Sequence, residues 1–200
     1  ALEPDVVIVA TGGLPEVTVL EEGEDLAISA WDILSGDAIP GQNVLIYDDA
    51  GDHPALMAAE KIVEAGGKVE VKTRDRSFAP EVMAMNLVTY MRSLQDKQAS
   101  FTVARTLKGL TRAGNLLTAR IGTDYSDHEV TREFDQVIVN QGTLPLDDLY
   151  FELKPLSWNK GDIDQTALVE GQGDIFVRSN SEATFALYRI GDAVSSRNIH

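Results

Sequence analysis

Short, uninterrupted apolar runs alternate with amphipathic stretches through the first half of the chain. Asp5-Val-Val-Ile-Val-Ala10 reads as a strand buried on both faces, and it ends in the turn Thr11-Gly12-Gly13. Residues 29–34 read as a short helix closed by Ser35-Gly36. Pro40-Gly41 turns the chain into a second buried strand, residues 43–47. Pro54 suits the first position of a helix, and Leu56, Ala59, Ile62 and Val63 recur at helical spacing over residues 55–65. Gly66-Gly67 stops that helix before a third strand, residues 68–73. Strand, helix and strand within about 30 residues make a βαβ unit, parallel and right-handed.

Further along, residues 80–97 predict an amphipathic helix with Val82, Met85, Leu87, Met91 and Leu94 as its apolar stripe. Three short β segments follow, residues 101–105, 108–112 and 116–122, and an antiparallel meander is the natural reading. Residues 124–129, three acids with His128, read as a solvated loop. Residues 135–140 close the unit as another buried strand. The tail holds a last strand running into Gly191-Asp192.

One element occurs twice. Asp5-x-Val7-Ile8-Val9-x-x-Gly12-x-Leu14-Pro15 returns as Asp135-x-Val137-Ile138-Val139-x-x-Gly142-x-Leu144-Pro145, seven identities in eleven positions. A strand with a glycine turn therefore brackets the βαβ unit and the meander, the mark of duplicated architecture.

Composition narrows the chemistry. A net charge of −15 argues against a nucleic-acid or anionic-membrane partner, which needs clustered Lys and Arg. With no cysteine, this segment can supply no disulfide, thiolate nucleophile or iron–sulfur ligand. A reducing cytoplasm fits that composition, and no run of about 18 apolar residues is available to span a membrane. The chain opens directly on an apolar strand without a start Met and stops soon after a Gly-Asp turn, as expected of a piece of a longer chain.

On the repeated strand-turn, Ala10-Thr11-Gly12 with its degraded copy Asn140-Gln141-Gly142, and on the late Gly191-Asp192, the chain resembles the glutathione-reductase-like flavoproteins with two dinucleotide-binding domains. More narrowly it is similar to the trimethylamine dehydrogenase and 2,4-dienoyl-CoA reductase group, where this pair of domains is fused to an old-yellow-enzyme barrel. The resemblance implies an α/β fold: a Rossmann-like parallel sheet with an antiparallel meander, plus flanking segments of a partial FAD-type domain. It implies residues 1–36 as an FAD-type segment and crossover, 37–142 as the NAD(P)-binding-like domain, and 143–200 as the returning FAD-type segment. FAD or ADP would sit at the partial FAD-type domain, against Thr11, Gly12, Gly13, Gly191 and Asp192. FMN and a 4Fe-4S cluster belong to the barrel and iron–sulfur region of the parent, a homo-oligomer in which the rest of the chain is this module's partner. The parent would act on an amine, N-methylated or enoyl substrate, and this module would carry no catalytic centre.

The turn after the second strand should hold NAD(P). A G-x-G-x-x-G turn needs glycine for tightness, for approach to the diphosphate and for helix packing. Here Ala50, Asp52 and Ala55 take those places, with Gly51 relaxing the turn and Asp48 and Asp49 adding negative charge. NAD(P) binding is therefore doubtful, and Gly51 and Gly142 stand as candidate cofactor-binding glycines. Arg74 and Arg76 could meet an NADP ribose phosphate, but lying in solvent or pairing with Asp75 is the plainer expectation. Two alternatives stay open: a functional NADPH-binding reductase domain, and a non-enzymatic interaction or scaffold domain. The histidines do not complete a metal site, and Ser195-Ser196 near His200 lacks the motif of an activated nucleophile.

Overall fold

A computed structural model describes residues 3–18, 20–172 and 175–195. In chain order the strands are β1 (Val6–Val9), β2 (Gly13–Pro15), β3 (Ile28–Ser29), β4 (Asn43–Asp48), β5 (Lys68–Thr73), β6 (Ser100–Thr102), β7 (Thr106–Ala113), β8 (Leu116–Thr123), β9 (Ser126–Phe134), β10 (Gln136–Asn140), β11 (Thr143–Pro145) and β12 (Ala186–Arg189). The helices are α1 (Ala30–Ser35), α2 (His53–Glu64), α3 (Ala84–Asp96), α4 (Asp148–Leu153) and α5 (Gln165–Val169). Two compact units result: residues Pro15–Gly142, and the segments up to Leu14 and from Thr143.

The Pro15–Gly142 unit is built on a five-stranded sheet of order β3-β10-β4-β5-β6, every pair parallel. Its central strands β4 and β10 are apolar on both faces because both faces are covered. Along β4 the pleat sends Val44 and Ile46 into a core with α1, α2 and α3, while Leu45 and Tyr47 join a second core with the meander. That meander, β7-β8-β9, is antiparallel and brings Leu107, Leu110, Leu117, Ala119, Ile121 and Phe134 onto the sheet. The unit is thus three layers: helices, parallel sheet, meander.

Local sequence explains the helix ends. Ser29 accepts from Trp31 N, and Asp32 accepts from Ser29 N, which is a capping box at the start of α1. Gly36 closes α1 at φ 91. Lys61 of α2 then donates to the free carbonyls of Ile33 and Leu34, at 2.7 and 3.2 Å. Pro54 stands in the first turn of α2, as its sequence position suggests.

Several sequence expectations are corrected. Residues 100–102 belong to the parallel sheet beside β5, not to the meander. The third meander strand is β9, over residues expected to be loop; all of it is exposed except Phe134, so it carries no apolar alternation to announce it. Helix α3 begins at Ala84, because Ala79 at φ 44 and the turn Val82 N to Ala79 O interrupt the chain there. Its buried stripe shrinks to Leu94 within the helix, and Met85 is exposed.

In the other unit, β1 and β12 pair in parallel, Val6 opposite Ala186 through Val9 opposite Arg189. One face of this pair, Val7, Val9 and Leu187, packs with Tyr150, Leu153 and Ala193. The other face leaves Val6 and Ile8 about half exposed, so β1 is buried on one face only, contrary to the reading of its apolar run. The far edge of β12 is closed by Asn159, fully buried, whose side-chain amide accepts from Leu187 N at 2.8 Å and donates to Leu187 O at 2.9 Å. The short strands β2 and β11, one from each copy of the repeat, pair with each other.

Candidate functional site

In an open α/β sheet, ligands gather where strands end and helices begin. In the Pro15–Gly142 unit that place is the turn from Asp48 to His53, between β4 and α2. A diphosphate would need the amides of this turn as donors. Three of them are already occupied. Asp49 N and Ala50 N donate to Asn140 O at 2.8 and 3.0 Å, and Gly51 N donates to Asp48 Oδ1 at 2.9 Å.

Asn140, the last residue of β10, supplies more than its carbonyl. Its side-chain amide donates to Asp48 Oδ1 at 2.9 Å and to Asp52 Oδ1 at 2.7 Å. Asp52 stands at the N-cap of α2 but makes no side-chain cap bond; its carboxylate is turned to Asn140 instead. Asp48 is buried, and that burial pushes its carboxyl up to about 6, against the bonds from Gly51 and Asn140 that favour the charged form. Burial also raises Asp49, with Arg74 opposing. The Tyr47 hydroxyl is pushed up by burial first and by Asp49 next.

Gly51 has φ +70, and a Cβ there would lie 2.6 Å from Pro80 Cδ. Glu81 N donates to Gly51 O at 3.0 Å. The turn at residues 79–82 therefore lies over Gly51, which is buried. The basic residues after β5 are also engaged. Arg74 Nε bonds Asp124 Oδ2 at 2.8 Å and Arg76 Nε bonds Tyr125 Oη at 3.0 Å, both at the tip of the β8–β9 hairpin. Asp124, fifty residues away, is the partner rather than the expected Asp75.

The second candidate site lies in the unit of β1 and β12. Because these strands are parallel and in register, their carboxyl ends share one edge: Ile190 N donates to Val9 O at 3.0 Å. That brings Thr11 and Gly12, which follow β1, to the same edge as Gly191 and Asp192, which follow β12. Gly12 (φ +77) and Gly191 (φ +62) both face open space, with no atom within 4 Å of a would-be Cβ. Asp192 is half-buried in the turn Gly191–Ala193.

No family model matches the chain. Over its full length it is 58% identical to a probable N-methylproline demethylase of Rhizobium meliloti (strain 1021), of which it covers 29%. It is 36% identical to an N,N-dimethylglycine/sarcosine dehydrogenase of Chromohalobacter salexigens, of which it covers 30%. These likenesses bear out the resemblance to the trimethylamine dehydrogenase and 2,4-dienoyl-CoA reductase group. The chain spans less than a third of the length of these curated relatives. A solved structure, a 6-hydroxypseudooxynicotine amine oxidase from Pseudomonas geniculata N1, shares the fold: TM-score 0.69 at 22% identity, over 98% of this chain and 27% of that one.

Of the glycines and polar residues singled out in the sequence, Thr11, Gly12, Gly13, Gly191 and Asp192 fall in one unit, and Gly51 and Gly142 in the other. Gly13 lies against Thr143 and Leu144, packing rather than open to a ligand. Gly142 (φ +95) faces open space, and its carbonyl accepts from Glu16 N at 2.9 Å. Asn140 was the residue that sequence reading missed; its only signal was that it replaces alanine in the second copy of the repeat. Among the described residues no cluster of three or more potential metal ligands occurs, and no helix is long and apolar enough to cross a membrane. Ser196 and His200 lie outside the described residues.

Proposed function

We propose that this chain is the dinucleotide-binding-like module of a larger flavin-dependent oxidoreductase that removes methyl groups from N-methylated amines, and that its own NAD(P) turn no longer binds nucleotide. The relatives' activities on methylated amino acids support the substrate class. The observation that carries the second half is the consumption of the amides of Asp49, Ala50 and Gly51 inside the turn. A diphosphate would have to break those bonds and settle beside Asp48, Asp49 and Asp52, each like-charge contact costing on the order of several kcal/mol at intermediate dielectric.

FMN and a 4Fe-4S cluster would reside in the rest of the parent chain, which performs the oxidation. The module's role is scaffold and nucleotide holder. In its other unit, Thr11 and Gly12 with Gly191 and Asp192 would hold FAD or its ADP portion. The fit rests on two open glycine turns at one sheet edge and a carboxylate able to accept from a ribose or ribityl hydroxyl.

The test uses the full-length protein. It should oxidise an N-methylated amine such as N-methylproline or dimethylglycine and release formaldehyde. NADPH and NADH should show no binding in calorimetry, while ADP or FAD binds and is weakened by Asp192→Ala. Micromolar NADPH binding that Arg74→Ala weakens would overturn the reading of the turn, and inactivity on every N-methylated amine would overturn the substrate class.

A further inference from the structure

The two open turns are connected through one short segment and one side chain. Leu146 engages the first turn twice: its amide donates to Gly12 O at 2.9 Å, and its carbonyl accepts from Thr11 Oγ1. The next residue, Asp147, accepts a bond from Arg189 Nη1, and the same Nη1 reaches Ala193 O at 3.3 Å, in the second turn. The Arg189 guanidinium lies over the ring of Tyr150, 4.6 Å from its centroid, and 5.2 Å from that of Phe151.

These contacts exceed what the strand itself requires. β12 is already held along one edge by β1 and along the other by Asn159. Among the described residues, the polar bonds of the Arg189 side chain go to groups beyond the strand's end. Its charge is satisfied by Asp147 and its flat face by two rings, so it is not free to serve as a phosphate ligand. What it can do is fix geometry. One nitrogen, Nη1, holds both groups, and the stacking of the flat guanidinium on two rings fixes where that nitrogen stands, which a lysine ammonium does not reproduce.

We propose that Arg189 is a positioning residue for nucleotide binding: through Asp147 and Ala193 it sets the separation between the Thr11–Gly12 turn and the Gly191–Asp192 turn. This inference rests on the reading of those turns as the site for ADP or FAD. A ligand that spans both turns is sensitive to their spacing, because misplaced donors lose binding without any loss of contact atoms.

The experiment is calorimetric titration of ADP and of FAD into the full-length protein and its variants Arg189→Lys, Arg189→Met, Asp147→Asn and the Asp147→Asn/Arg189→Lys pair. Measurements are made well below the melting temperature of each. Arg189→Lys and Asp147→Asn should each weaken ADP binding about tenfold, the effect of one charged hydrogen bond. The double variant should be no weaker than either single one, since both break the same link. Melting temperatures should differ little between Arg189→Lys and the parent, so that affinity and stability separate. If Asp192→Asn weakens ADP binding while every Arg189 and Asp147 variant binds as tightly as the parent, the positioning role is wrong and the site stands. Lower melting temperature with unchanged affinity also overturns it. If the parent binds neither ADP nor FAD, the site itself is wrong and the inference falls with it.

Discussion

The side-chain amide of Asn140 donates to the buried carboxylate of Asp48 at 2.9 Å, joining the end of β10 to the end of β4 at the start of the turn into α2. The same amide serves Asp52. Removing it should leave Asp52 without this donor and Asp48 with only the Gly51 amide. Asn140→Ala is expected to cost about 2–3 kcal/mol, read as a lower urea midpoint at neutral pH. Asn140→Asp adds a third acid and should cost at least as much at neutral pH, with the difference shrinking on acidification. An Asn140→Ala protein as stable as the parent would show that water replaces the amide.

Asp48 makes stability depend on pH in an unusual direction for an acid. Its folded-state carboxyl stands at about 6 against 3.8 for the ordinary group. The folded protein therefore binds more protons than the unfolded chain between those values. The contribution of this residue is fully present below about pH 4 and is lost as pH rises through about 6, up to about 3 kcal/mol. Asp48→Asn keeps an oxygen to accept from Gly51 and Asn140 and has no charge to bury. It should melt higher than the parent at pH 7.5 and alike at pH 4. Melting curves that stay parallel across that range would contradict the assignment.

Two glycines with positive φ should respond differently to alanine. At Gly12 only backbone strain opposes the change, so about 1 kcal/mol is expected. At Gly51 the new Cβ also meets Pro80 Cδ at 2.6 Å and Cγ at 2.8 Å. Strain and overpacking together should cost about 2–4 kcal/mol. Chemical denaturation of the two variants side by side gives the comparison, and equal losses would mean the 79–82 turn simply moves away.

Asn159 holds the outer edge of β12 through both polar groups of Leu187. Asn159→Ala strands a buried N–H and C=O, for about 3 kcal/mol. Hydrogen exchange at the Leu187 amide is the direct measurement: protection should fall sharply in the variant. Unchanged protection would mean that another group closes the edge.

Much of the Rossmann unit was readable from the chain because its signals are local. The apolar runs of β4 and β10, the helical spacing of α2, Pro54 at its start and Gly66-Gly67 at its end each specify an element without help from distant residues. What was not readable depends on partners far away. β9 exists because β8 pairs with it, and its Ser, Asp, His, Glu and Arg side chains face water at a sheet edge, where charge discourages further pairing. The stretch before α3 reads as helix until Pro80 and Ala79 are needed to cover Gly51. Arg74 finds Asp124 only because a hairpin tip returns to the end of β5. At the turn after β4, the missing glycines and surplus acids were visible, but not that Asn140 and Asp48 would take up the amides of Asp49, Ala50 and Gly51. That required knowing that β10 lies beside β4.

The repeated strand-turn has a consequence for how such a chain can be rebuilt. Glu16 N and Gly142 O are hydrogen-bonded at 2.9 Å, so the unit between them leaves and returns at one point. Gly12 O and Leu146 N are joined at the same distance just outside it. Closing a loop costs entropy that grows only with the logarithm of its length. A whole folded unit is then nearly as cheap to carry at this junction as a short turn. The junction is closed by its own hydrogen bonds, so a chain with other residues between Glu16 and Gly142 could still join Gly12 to Leu146.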